Sequence, residues 1–136
     1  IPLAVRLTGA LDTDALALAV ADVIDRHEVL RTVYPQTADG QGVQVVLPAG
    51  QHRLDLTPVD VRQAEITDRI SELVLTGFEV TAEVPVRAEL FHVVDGEGPE
   101  THVLVFVVHH ISGDGWSVRP LARDVMVAYA ARTRGE

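Results

Sequence analysis

The sequence contains no cysteine, which excludes a disulfide framework, a thiolate nucleophile and a cysteine-ligated metal site. Basic residues are scarce, with 11 Lys and Arg against 20 Asp and Glu, and the net charge is −9. Because nucleic acids and anionic membranes are bound through clustered Lys and Arg, this charge argues against both as partners. No apolar run approaches the ~20 residues that a membrane-spanning helix needs. The remaining composition, 47% hydrophobic and 23% charged, is typical of a soluble globular protein.

At 136 residues the chain has the length of one domain or of one large lobe. It begins inside a strand-like alternation, without Met and without the basic segment of a secretory signal. We therefore expect the chain to be part of a longer protein that is located in the cytoplasm.

Hydrophobic periodicity predicts strands alternating with helices. The predicted strands cover 1–8, 30–34, 43–47, 54–56, 85–94 and 101–109, and the second and third of them form a hairpin. The first helix begins at Thr13 behind an Asp12 cap, the second follows 58–60 and ends at Gly77, and the third follows Ser117. Their inward stripes are Leu16, Val20, Val23 and Ile24; Ile66, Ile70, Leu73 and Val74; and Leu121, Val125 and Tyr129.

The last strand is apolar on both faces over 103–108, which is typical of an interior strand covered on both sides. The strand at 85–94 alternates and is expected to be half-exposed. Together these patterns predict an α/β sandwich with the last strand at its centre. We expect His52, His92 and His102 to be surface or edge residues, and His27 to stabilise the end of the first helix.

Residues 109–117, which read His-His-Ile-Ser-Gly-Asp-Gly-Trp-Ser, follow this apolar strand directly. The ends of strands in layered α/β folds are where active sites tend to lie. Successive side chains of a strand point to opposite faces, so His109 and His110 are expected to play different roles. For the same reason they converge poorly on one ion with Asp114, and we expect no metal site.

The pattern His-His-x-x-x-Asp-Gly over 109–115 resembles the signature of condensation domains in nonribosomal peptide synthetases. It is shared by relatives in the chloramphenicol acetyltransferase-like superfamily. The following Trp116 and Ser117 are similar to the condensation form rather than the epimerisation form. A second block, Arg-His-Glu-Val-Leu-Arg-Thr-Val-Tyr over 26–34, resembles the family's second core motif.

This resemblance implies that 1–136 is the N-terminal lobe of a condensation domain, with a mixed sheet covered by helices. The family's first core motif and the C-terminal lobe are absent from the chain. The implied reaction forms a peptide bond between donor and acceptor aminoacyl thioesters, as in antibiotic or siderophore biosynthesis. The implied partners are the upstream and downstream peptidyl carrier proteins and the missing lobe. The substrates ride on phosphopantetheine arms, no cofactor is bound directly, and the isolated chain is expected to be inactive.

The resemblance also assigns roles within the motif. His110 matches the functional histidine, which takes or holds a proton of the attacking amine, and the Gly115 N–H is a candidate oxyanion donor. His109 is the structural member of the pair. Residues 113–117 and 120–124 are similar to domains that join a D-configured donor to an L-configured acceptor.

By resemblance, Asp114 is buried and paired with Arg31, which fixes the turn that aims the functional histidine. The alternative for Asp114 is a cap at the entry of the last helix. Trp116 and Ser117 are assigned to the substrate channel, with core packing as the other interpretation of Trp116.

Two other functions remain open. The chain is either another acyltransferase with this signature, acting on a coenzyme A or carrier thioester, or a non-catalytic lobe that only docks carrier proteins. Degenerate docking relatives often lack the second histidine, which is present here.

Overall fold

The computed structural model of the chain describes residues 2–50, 54–77, 79, 83–109 and 118–135. Its helices include α1 (Thr13–Arg26), α2 (Ile66–Leu75) and α3 (Val118–Thr133), with 3₁₀ turns at Glu28–Arg31 and Gln63–Glu65. Its strands include β1 (Pro2–Thr8), β2 (Thr32–Val33), β3 (Val45–Val46), β4 (Val59–Val61), β5 (Val86–Val93) and β6 (Thr101–Val108).

The main sheet has the strand order β1-β6-β5-β4. β6 is antiparallel to both neighbours, placing Leu104 opposite Val5 on one side and Leu90 on the other. β4 runs parallel to β5, so the sheet is mixed. The predicted central position of the last strand is therefore confirmed.

Two hydrophobic clusters lie on opposite faces of this sheet. Helices α1 and α3 cover one face, where the buried residues include Leu16, Val20, Ile24, Leu90, Leu104, Phe106, Leu121 and Val125. Helix α2 covers the other, where the cluster contains Val61, Ile66, Phe91, Val93, Val103, Val105 and Val107. The predicted α/β sandwich, a mixed sheet covered by helices, is confirmed.

Helix α1 begins and ends where the sequence predicts. The Asp12 carboxylate accepts a hydrogen bond from the Ala15 N–H at 3.0 Å, a contact of the kind that contributes about 1 kcal/mol. At the other end the His27 N–H donates to the Val23 carbonyl. The predicted stripe is buried, so α1 is held by its cap and by the core together.

The predicted hairpin is present but shorter. Glu28–Arg31 forms a 3₁₀ turn, so the first strand starts at Thr32 rather than at residue 30. Thr32 then pairs with Val46, and Val33 with Val45. Gly40 supports the reversal with a φ of 83°, in the left-handed region that favours glycine.

The prediction of a strand at 54–56 was wrong. Residues 54–56 form no strand, because the Asp55 carboxylate accepts hydrogen bonds from the N–H and hydroxyl of Thr57 and turns the chain. The strand forms later, as β4, where it can pair with β5. Helix α2 begins at Ile66, the first residue of its predicted apolar stripe, after the 3₁₀ turn Gln63–Glu65.

The end of α2 also differs from the prediction. The helix is capped at Thr76, whose N–H donates to the Glu72 carbonyl, and Gly77 follows without a positive φ. Ile66 is buried as expected, but Val74 is exposed because it lies beyond the surface that α2 presses against the sheet.

The predictions for β5 and for His102 need correction. β5 is not half-exposed, because α2 buries Phe91 and Val93 on its second face. His102 is not a surface residue but is 3% exposed, between its cross-strand neighbours Leu7 and His92. Its burial, and secondarily the nearby His92, lower the pKa of His102.

His92 itself is half-buried, and His52 lies outside the described residues. In the part of the chain that the structure describes, no helix combines the length and the apolar character required to cross a membrane.

Candidate functional site

The motif begins where β6 ends, at the edge of a buried strand. Val108 is fully buried, and the next residue, His109, donates its backbone N–H to the Pro85 carbonyl at 2.9 Å. The pairing between β5 and β6 is thus extended by one bond beyond the strand. The half-buried His109 is consequently held in a fixed backbone position.

The other end of the motif is fixed by α3. This helix starts at Val118, and its residues Leu121 and Val125 are buried in the cluster beneath α1. Segment 110–117 therefore connects two anchored ends. The predicted site residues in it, which lie outside the described residues, are His110, Asp114, Gly115, Trp116 and Ser117.

Arg31, the predicted partner of Asp114, is 8% exposed and bonded to backbone carbonyls. Its Nε donates to Ile24 O at 3.2 Å and its Nη2 to Asp25 O at 3.0 Å. Its Nη1 donates to Leu47 O at 2.7 Å. The guanidinium thus occupies the negative end of α1 and ties the residue after β3 to it, a role that the sequence did not reveal.

Arg31 still has capacity for a further partner. A guanidinium carries five N–H groups, and the three bonds to the described residues use one on each nitrogen. A carboxylate on its remaining N–H groups is compatible with this arrangement. The predicted pair with Asp114 stays a prediction.

His27 links the end of α1 to the helix that follows the motif. Its Nε2 lies 3.0 Å from Oδ2 of Asp124 in α3. The expected structural role of His27 is consistent with this position, but the acidic partner was not foreseen, because it is nearly a hundred residues away in the sequence.

A second polar contact joins the same two helices. Arg132 Nε and Nη2 donate to the two carboxylate oxygens of Asp22 at 2.8 and 2.6 Å. This hydrogen bonding holds the pKa of the Asp22 carboxyl below its usual range. Helix α3, which sets one end of the motif segment, is therefore attached to α1 by its apolar stripe and by two polar contacts.

The fold agrees with comparisons to known proteins. The family model of the condensation domain matches residues 1–136, and the chain belongs to the condensation domain family. The resemblance to condensation domains of nonribosomal peptide synthetases is thus confirmed.

Two curated relatives are similar along almost the whole chain. A dimodular nonribosomal peptide synthase of Bacillus subtilis is 44% identical over 135 residues, which are 99% of the chain and 6% of that protein. An isonitrile lipopeptide synthase of Mycobacterium tuberculosis is 47% identical over 136 residues, covering 97% of the chain and 5% of the relative. The chain therefore spans only about a twentieth of these relatives.

Among solved structures, the X-domain from teicoplanin biosynthesis matches with a TM-score of 0.85 at 36% identity, over 100% of the chain and 28% of the X-domain chain. The complex of the X-domain and OxyB matches with a TM-score of 0.83 at 35% identity, over the same shares.

Proposed function

We propose that the chain is the N-terminal lobe of a domain that forms peptide bonds between carrier-bound aminoacyl thioesters. One observation carries the proposal. A central strand, paired on both sides, ends at Val108, and His-His-x-x-x-Asp-Gly follows within the short segment to α3. Family membership and the synthetase relatives support the same function.

The chemistry requires little from the protein beyond placement and proton handling. A thioester is already activated, so bringing the acceptor amine to attack distance supplies much of the rate. The amine nitrogen bonds to the thioester carbon, the carbonyl oxygen becomes an oxyanion, and the thiolate of the donor arm leaves. His110 takes a proton from the attacking amine, and the Gly115 N–H donates to the oxyanion.

The alternation of β6 supports different roles for the two histidines. Val103, Val105 and Val107 belong to the cluster under α2, whereas Leu104 and Phe106 belong to the cluster under α1 and α3. Continued by two residues, this alternation sends His109 and His110 to opposite faces. We assign His109 to packing and His110 to the reaction.

Arg31 and Asp114 complete the support of the site. We assign the Asp114 carboxylate to the N–H groups of Arg31 that α1 and the β2–β3 hairpin leave available. A carboxylate held by a guanidinium is a poor proton acceptor, so the pair has a positioning role. It would tie the motif segment to the end of α1.

The substrates would reach this site on phosphopantetheine arms of upstream and downstream peptidyl carrier proteins, with no cofactor bound directly. Trp116 and Ser117 would line their channel. We further propose a D-configured donor and an L-configured acceptor, and a product of the antibiotic or siderophore type. Cytoplasmic location also stays a prediction.

A docking lobe without catalysis is the second candidate. The observation in its favour is the similarity to the X-domain, which has been solved in complex with OxyB. Members of this fold can therefore serve as protein-binding platforms. The presence of His110 favours catalysis.

Substitution of His110 in the complete domain tests the proposal. With donor and acceptor carriers loaded, single-turnover formation of dipeptidyl carrier, followed by mass spectrometry, should fall by about 10²- to 10⁴-fold in His110→Ala. The matched control is His27→Gln, which retains a donor for Asp124 and should keep the wild-type rate. Melting of all three proteins verifies folding.

A wild-type domain that binds both carriers but forms no product would instead identify a docking lobe. A folded His110→Ala variant with wild-type rate would refute the catalytic assignment of this residue.

A further inference from the structure

The sheet carries a second histidine pair at the end opposite the motif. His92 of β5 and His102 of β6 lie directly across from each other in register, and their ring centroids are 4.9 Å apart. Glu100 stands just before β6. From His102 to His109 the strand rises by about 23 Å, so this cluster is separate from the proposed catalytic segment.

The donor atoms of these residues converge. The Nε2 atoms of His92 and His102 each lie 3.8 Å from Oε1 of Glu100. One ligand atom from each of the three residues lies within 4.8 Å of the other two. Ligands of a tetrahedral Zn²⁺ at ~2.0–2.1 Å are about 3.4 Å apart, so the partly exposed side chains of His92 and Glu100 would both have to move closer to each other and to His102 to complete the geometry.

The Asp60 carboxylate orients the His92 ring by contacting Nδ1, the ring nitrogen that does not face Glu100. Oδ1 of Asp60, on the neighbouring strand β4, lies 3.1 Å from His92 Nδ1. Such a contact keeps the ring proton on Nδ1 and leaves the Nε2 lone pair directed to the other side. It is the carboxylate–histidine arrangement found behind ligands of structural and catalytic metals.

His102 supplies the buried wall of the cluster. Its side chain is 4% exposed, whereas those of His92 and Glu100 are 32% and 52% exposed and provide access from solvent. Among the described residues its Nδ1 has no hydrogen-bond partner. With an ion on Nε2 the ring proton would sit on this unpartnered Nδ1, which makes His102 the weaker of the two nitrogen ligands.

We propose that His92, Glu100 and His102 form a binding site for a divalent transition-metal cation such as Zn²⁺, with Asp60 orienting His92. Two imidazoles and one carboxylate suit this class of ion, and water would fill the remaining position. The ion would join β5 to β6 and, through Asp60, to β4. This site departs from the expectation of a metal-free chain and does not depend on the proposed peptide-bond chemistry.

Zinc titration of the metal-free chain, in competition with a chromophoric chelator of micromolar affinity, tests the site. Wild type should bind one equivalent, while His92→Gln and Glu100→Gln should bind at least about 10-fold more weakly, and Asp60→Asn about 10-fold. Glu97→Gln, an exposed carboxylate of the same turn, and His27→Gln are the matched controls and should bind like wild type.

Failure of wild type to compete for Zn²⁺, or wild-type affinity in both ligand variants, would overturn the proposal. Melting without metal verifies that each variant is folded. An independent measurement needs no substitution: substoichiometric Co²⁺ should broaden the ring proton resonances of His92 and His102 before those of the other histidines. Broadening that begins elsewhere would refute the site.

Discussion

Arg31 has a wider structural role than its predicted pairing with Asp114 implies. Its side chain is nearly buried, and three backbone carbonyls from α1 and the segment after β3 accept its hydrogen bonds. Removing the Arg31 side chain would leave those carbonyls without their donor. The contact between α1 and the β2–β3 hairpin would then be weakened. Arg31 is therefore needed for stability whether or not Asp114 also binds it.

Variants of Arg31 and Asp114 separate these two roles. Arg31→Ala should lower the free energy of unfolding by about 3–5 kcal/mol, because it leaves three largely buried carbonyls without their donor. If the pair exists, Asp114→Ala should also destabilise, and the double variant should cost less than the sum of the two. Urea denaturation of the four proteins measures this coupling.

Arg69→Ala, an exposed arginine of α2, is the control for loss of an arginine and should change stability by less than about 0.5 kcal/mol. Strict additivity between Arg31 and Asp114 would assign Asp114 to helix capping alone.

At the scale of elements, α3 depends on α1 for its position and carries one end of the motif segment. The contact between Asp22 and Arg132 is one polar part of this dependence. The pKa of Asp22 is lowered in the folded protein, so its contribution to stability is present above the unfolded pKa of about 3.9 and is lost as pH falls through the folded value.

Asp22→Asn should therefore be less stable than wild type at neutral pH and approach it in acid. Thermal melting between about pH 7 and pH 3 measures the difference, which should shrink as Asp22 becomes protonated in the wild type. Glu97→Gln is the control and should follow the wild-type curve. A gap between wild type and Asp22→Asn that is constant with pH would contradict the assigned ion pair.

The sequence predicted those helices and strands whose formation depends on a few consecutive residues. The Asp12 cap, the apolar stripe of α1 and the doubly buried β6 were all predictable, because each is a feature of a few consecutive residues. The short β4 was missed, since its pairing partner β5 is some thirty residues away. The second buried face of β5 was missed for a related reason: α2 supplies its cover.

The candidate site likewise has some features that the local sequence predicts and others that only tertiary contacts create. His109 and the end of β6 were predictable from the apolar run, whereas the carbonyls that hold Arg31 are brought together only when the hairpin folds back on α1. The His92–His102 pair could have been found by treating 85–94 and 101–109 as an antiparallel pair around the turn at 95–99. That step requires a register, which composition alone does not give.

At the scale of the whole molecule, we predict that the 136-residue chain alone does not catalyse condensation. Two substrate arms entering from opposite sides need two walls, and one lobe would supply only one of them, so the proximity advantage is lost. Loaded carriers mixed with the chain should yield no dipeptidyl carrier by mass spectrometry, whereas the complete domain should form it under the same conditions.

The chain should instead fold and tend to self-associate, which light scattering can measure. Large apolar side chains are exposed on the hairpin and on two helices, among them Val45, Val46, Leu75 and Val127. Efficient product formation by the chain alone would favour a self-contained acyltransferase.

The register of β6 also limits how the sequence of this chain can diverge or be recombined. A one-residue insertion within Thr101–Val108 that shifts Leu104 and Phe106 by one position would move both side chains to the α2 side of the sheet. The preceding turn, 95–99, is exposed throughout and pairs with nothing in the sheet ladder. Length differences between homologues should therefore accumulate in that turn while β6 keeps its length, and chimaeras of synthetases should tolerate a junction there but not inside the strand.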